Sequence, residues 1–128
     1  LIQKVVVINI KNCLFADAVE KVLRENTSKD YVIARAETAR DLEQYICLAS
    51  VFLLEVTNRP DYMMEDRLEL RERVKAVNPD CKFVLEVDEI SESQIAEQVC
   101  QAKKDGLIDQ FIYGSISANY FVALMDTL

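Results

Sequence analysis

Two carboxylates stand where a parallel α/β protein concentrates its chemistry. Glu55 closes the apolar run Val51-Phe52-Leu53-Leu54 and leads into Val56-Thr57-Asn58-Arg59-Pro60, while Glu86 interrupts the run Cys81-Lys82-Phe83-Val84-Leu85-Glu86-Val87. Read as strands, both runs deliver an acid to a C-terminal strand end, where open parallel sheets place ligands and reacting groups. Two neighbouring carboxylates share a proton or hold a cation, with one pKa raised, and such a pair can do acid–base work. Their spacing in the chain leaves open whether they meet. The rest of the chemical inventory is thin. There is no histidine, which removes Ser–His and Cys–His nucleophiles. Only two glycines occur, and neither G-x-G-x-x-G nor G-x-x-x-x-G-K-[ST] is present, which argues against the common nucleotide-binding loops. Cys13, Cys47, Cys81 and Cys100 are far apart with no C-x-x-C pair, so a zinc site would need all four thiols or borrowed carboxylates. Reduced, mostly buried thiols are the expectation, and the chain is not expected to be an enzyme.

The elements that would position these residues alternate. Lys4 to Ile10 is β-branched and apolar on both faces, which suits a central parallel strand. Asn12 is placed to cap a helix carrying Leu14, Ala18, Val19, Val22 and Leu23. Tyr31 to Ala36 reads as a second strand, and Thr38 caps a helix presenting Leu42, Tyr45, Ile46 and Ala49. The third strand is Val51 to Val56. A charged helix from Met64 to Val77 points Leu68, Leu70 and Val74 inward and ends at the turn Asn78-Pro79-Asp80. The fourth strand, Cys81 to Val87, is followed by a helix capped by Ser91, with Ile95, Ala96, Val99 and Ala102 inward, Lys103 and Lys104 at its C-terminus and Gly106 beyond. Phe111-Ile112-Tyr113 is the last strand, and Ser117 caps a helix from Ala118 to Thr127.

Five β–α units in 128 residues predict one doubly wound, three-layer α/β domain with helices on both faces of the sheet. Lys plus Arg is 15 and Asp plus Glu is 22, a net charge of −7 that argues against nucleic-acid binding by these residues. No apolar run approaches a membrane span and no signal peptide is evident, so a cytoplasmic location is expected. The chain opens on Leu1 rather than Met.

Val51 to Val56 with Pro60, and the run from Asp105-Gly106 through the fifth strand to Ser117, resemble the receiver domains of response regulators, of the chemotaxis-regulator type. The likeness runs from end to end. It implies a flavodoxin-like (βα)5 fold with a five-stranded parallel sheet of order 2-1-3-4-5. In that family two acids after the first strand and an acceptor aspartate hold Mg²⁺. Asn9 and Ile10 stand in place of the two acids and Glu55 in place of the aspartate, so weak or absent Mg²⁺ binding is expected, and no cofactor. The hydroxyl that ends the family's fourth strand falls at Glu86, beside Val87. The family's lysine after strand five falls at Gly114 when the segment is anchored on Ser117, or at Tyr113 when anchored on Gly106. Phe111 matches the switch aromatic.

The resemblance therefore implies a degenerate receiver, a signalling module of the two-component or phosphorelay type that does not depend on aspartyl phosphorylation. Glu55 mimics the activated charge, ends the strand without a role, or anchors a basic residue such as Arg59. Partners or a second copy would dock on the face of helix four, strand five and helix five, at Tyr113, Ile116, Tyr120 and Phe121. Such domains usually control an attached output domain, often one for transcription, and this chain is expected to be the N-terminal part of such a regulator. The alternative is a small-ligand or cation sensor whose strand-end pocket is lined by Asn9, Glu55, Glu86 and Tyr113.

Overall fold

The computed structural model describes residues 3–26 and 30–128. Its elements are β1 (Lys4–Asn9), α1 (Cys13–Asn26), β2 (Tyr31–Arg35), α2 (Ala39–Glu43), β3 (Val51–Glu55), α3 (Met64–Val77), β4 (Lys82–Val87), α4 (Ser93–Lys104), β5 (Gln110–Tyr113) and α5 (Ala118–Asp126). The strands form one parallel sheet in the order β2-β1-β3-β4-β5. Helices cover both faces, which is the flavodoxin-like, doubly wound arrangement expected.

The alternation of side chains along each strand divides the core in two. Val7, Phe52, Leu54, Val56, Phe83, Leu85 and Val87 face α2, α3 and α4. Val6, Ile8, Val51, Leu53, Val84 and Ile112 face α1 and α5. Phe52 and Phe83 are register partners and stack with ring centroids 5.3 Å apart. The β-branched and aromatic residues that made these runs legible as strands are fully enclosed, as central parallel strands require.

Several local readings change. In α1 the buried stripe is Ala16, Val19 and Leu23, whereas Leu14 is 81% exposed and Ala18 lies at the surface. Apolar residues cover so much of this helix that either stripe was available, and the small Ala16 allows the closer approach to the sheet. Thr38 does cap α2: its hydroxyl accepts the Asp41 N–H at 3.1 Å, and the Asp41 carboxylate accepts the Thr38 N–H at 3.2 Å. The helix stops at Glu43, however, and turns carry the chain to Ala49. Asn78, the residue that ends α3, donates its side-chain amide to the carbonyls of Ile46 (3.1 Å) and Ala49 (2.8 Å), satisfying that irregular segment. Glu92, not Ser91, is the N-cap of α4. Ser91 belongs to the preceding turn, where the Asp88 carboxylate accepts the N–H groups of Ile90 and Ser91. Gly106 ends that helix with φ +75, and the Gly106 and Leu107 N–H groups reach back to Lys103 and Ala102. Among the thiols only Cys81 is buried; Cys13 and Cys47 are exposed and Cys100 is half-buried. No helix among the described residues is long and apolar enough to cross a membrane.

Candidate functional site at the C-terminal strand ends

The parallel register answers what the sequence left open. Glu55 and Glu86 are direct partners on β3 and β4. Both continue the row of Leu53 and Val84, so both project toward the α1 and α5 side. Asn9 and Tyr113 continue the opposite row. The Asn9 amide donates to the Ala36 carbonyl at 2.7 Å, tying β1 to the end of β2. Tyr113 packs edge-on against Phe111, centroids 5.5 Å apart, with its hydroxyl 3.8 Å from Cys100 Sγ. The four residues expected to line one pocket therefore fall on two sides of the sheet. Five of the grooves on the described surface are lined without Asn9, Glu55 or Glu86.

Glu55 is half-buried, and its Oε1 accepts the Lys11 backbone N–H at 2.7 Å. This bond holds the β1–α1 loop over the end of β3. Arg59 is not its anchor. The basic residue at this end is Arg67 of α3, which sequence reasoning missed. Arg67 is only 2% exposed; its Nε donates to the Glu55 carbonyl at 2.9 Å and an Nη to the Asn9 carbonyl at 3.5 Å. The guanidinium also lies over the Tyr62 ring, 4.9 Å from its centroid. Burial lowers its pKa to about 10, opposed first by Tyr62 and then by Glu55, so it stays a cation at neutral pH. Its position was readable: Arg67, Leu70 and Val74 form one buried stripe at helical spacing.

Glu86 is 5% exposed and its Oε2 has no hydrogen-bond partner. Burial pushes its pKa up to about 8, and the negative charges of Glu55, Asp88 and Glu89 push in the same direction. Across the neighbouring loop, a Cβ on Gly114 would sit 3.4 Å from Glu86 Oε1. Gly114, rather than Tyr113, thus faces the acids. Ile10 is buried in the α1/α5 core and offers no ligand atom. Among the described residues no group of three or more Cys, Asp or Glu side chains is placed to hold a metal ion.

On the expected contact face, β5, the loop after it and the start of α5 form a groove of about 460 Å³ lined by Phe111, Tyr113, Ile116 and Tyr120, among others, with no α4 residue in its wall. Tyr120 is 64% exposed there, while Ile116 and Tyr113 are half-buried. Phe121 has to be removed from this surface. It is 3% exposed and packs with Leu124 and Met125 into the α1/α5 core, because its position on α5 faces the sheet.

No protein-family model matches the chain, and no curated protein matches it. In fold it is similar to solved receiver domains. One is a response-regulator receiver domain from Clostridium thermocellum, with a TM-score of 0.72 and 15% identity over 98% of this chain and 93% of that one. A CheY-like protein of Pseudomonas aeruginosa gives 0.70 and 15%, with 97% and 98% covered. An orphan response regulator of H. pylori gives 0.66 and 16%, with 97% and 94% covered. At these identities the likeness is one of fold.

Proposed function

We propose that this protein is a receiver-type signalling module that works by protein–protein contact without aspartyl phosphorylation. The observation that carries the reading is the pair at the strand ends. The acceptor position holds Glu55, whose Oε1 is already engaged by Lys11 N–H, and its register partner is the buried acid Glu86. In-line phosphoryl transfer depends on placement of the accepting oxygen and on cations that offset the phosphate charge. Here one carboxylate oxygen of Glu55 already accepts the Lys11 N–H, the side-chain neighbour across the register is the acid Glu86, Arg67 is turned to the backbone carbonyls, and Gly114 supplies no cation. The α4–β5–α5 face, with its aromatic groove, is the surface offered to a partner or a second copy, and through it the module controls an output, transcription being the leading candidate. It acts in the cytoplasm and is not itself an enzyme.

The test is intact-mass spectrometry after incubation with acetyl phosphate and Mg²⁺, with Glu55→Asp treated in parallel. The expected result is no added phosphoryl mass on the native chain. A one-phosphate shift that depends on Glu55 would overturn the reading.

A further inference from the structure

The buried carboxyl of Glu86 is a group that a phosphorylation-independent scaffold does not need. It lies under the loop joining β5 to α5, facing Gly114, with Oε2 unpartnered and with no groove among those described that reaches it. An unpartnered, enclosed carboxylate is one of the most unfavourable groups a core can hold, and a proton is the smallest ligand that relieves it. The charged groups around it explain why relief has to come that way. On β3 stands Glu55; in the loop after β4 stand Asp88 and Glu89. β5 and its loop contribute Ile112, Gly114 and Ser115, none of them charged. Lys11 reaches the pair through its backbone N–H to Glu55. Arg67 is committed to the carbonyls of Glu55 and Asn9 from the α3 side.

The same loop is held down by few bonds. Gly114 N–H donates to the Val87 carbonyl at 3.2 Å, Ile116 N–H to Tyr113 at 3.1 Å, and the Ser115 hydroxyl to Glu89 Oε1 at 2.8 Å. Ser115, Ile116 and Ser117 also form one wall of the groove on the α4–β5–α5 face. A change in charge beneath Gly114 therefore acts on the surface assigned above to partner contact.

We propose that Glu86 is a proton-operated latch: protonated, it lets the β5–α5 loop lie closed over the strand ends, and ionised, it drives that loop outward and reshapes the contact face. The proposal rests on the α4–β5–α5 face being the working surface. It adds the input that the altered phosphorylation site no longer provides. Burial and the surrounding acids place the transition near pH 8, within a pH unit or so of neutrality.

The sign follows from linkage. The folded-state pKa lies above the ordinary carboxylate value of 4.5, so between that value and about 8 the folded chain holds a proton that the unfolded chain has released. Stability is then full at low pH, falls as pH rises through that window and levels off above it, by up to about tenfold in the folding equilibrium constant per pH unit. The experiment is urea unfolding of the full chain and of Glu86→Gln from pH 6 to 9. Alongside it, NMR would follow the Glu86 carboxyl carbon and the Gly114 and Ile116 amides. The native chain should lose stability up to pH 8 and then flatten; Glu86→Gln, which copies the protonated acid, should lose that slope. The carboxyl and both amides should titrate together near pH 8. A Glu86 carbon titrating at an ordinary carboxylate value overturns the proposal without recourse to any variant. Amides that stay still while the carboxyl titrates also overturn it, since the latch is then unconnected to the loop. Phosphoryl labelling of Glu55 would sink the functional reading above yet leave this titration intact, so the two failures are distinguishable.

Discussion

Two buried charges sit at the same end of this sheet, and the protein resolves them in opposite ways. From the α3 side, Arg67 brings a guanidinium to the ends of β1 and β3, where carbonyl oxygens and the Tyr62 ring receive it. On the α1/α5 side, Glu86 meets Gly114, Ile112 and further acids, and keeps an oxygen with no partner. Desolvation acts on both, yet it lowers the Arg67 pKa only to about 10 and raises the Glu86 pKa to about 8. The cation keeps its charge at pH 7 and the acid gives it up. The difference lies in geometry more than in depth. Strand C-terminal ends offer free carbonyls, which suit a donor fork and offer a carboxylate nothing.

The comparison breaks most visibly at Arg67. Arg67→Met keeps the aliphatic stem buried and removes only the guanidinium, along with its bonds to the Glu55 and Asn9 carbonyls. One strong and one long charge-assisted bond are lost, and a destabilisation of about 3 kcal/mol is expected in urea unfolding at pH 7. A neutral result would mean that burial costs Arg67 as much as its carbonyls return, and the contrast with Glu86 would disappear. On the other side the sign reverses. Glu86→Leu should stabilise the protein by about 2 kcal/mol at pH 8, because an apolar side chain of similar size replaces a carboxyl that is half ionised there and unpartnered. The gain should shrink as the pH is lowered toward 5.

Much of this arrangement was legible in the residues, and the exceptions have physical reasons. The β-branched run at Val5–Ile10 and the apolar run at Val51–Leu54 identified the central strands, and α3 runs over the expected Met64–Val77, because Asn78-Pro79 can end a helix in few other ways. Asn9, expected to line the strand-end pocket, instead spends its amide on the Ala36 carbonyl. What one-dimensional pattern could not supply was register. Whether Glu55 meets Glu86, and whether Asn9 shares their side, depends on which residues of adjacent strands are partners, and a slip of one residue exchanges the two faces. Arg67 was missed for a different reason: a charge within a charged helix reads as solvent-facing, although its spacing from Leu70 and Val74 placed it on the buried stripe.

Gly114 offers a way to make the two sides alike. Its φ lies outside the left-handed region, and the space beside it leads to Glu86 Oε1. Gly114→Lys should bring an ammonium to the acid, stabilise the protein by about 1 kcal/mol at pH 8 and move the Glu86 transition to lower pH. Gly114→Ala, which fills the same space without charge, should leave the transition near its native position. If the two variants behave alike, the Glu86 pKa is set by burial with no part played by the missing cation.

The smallest effect belongs to Tyr62, and it separates the ring's share in holding Arg67 from that of the carbonyls. The guanidinium carbon lies 4.9 Å from the ring centroid. Tyr62→Leu keeps an apolar lid but removes the quadrupole, so a loss of about 0.5–1 kcal/mol is expected in the same unfolding measurement. In the background of Arg67→Met, Tyr62→Leu should have almost no further effect, because nothing is left for the ring to hold; a double-mutant cycle measures that coupling directly. Full additivity would mean that the ring contributes packing alone, and that the Glu55 and Asn9 carbonyls suffice to keep a buried cation at the end of this sheet.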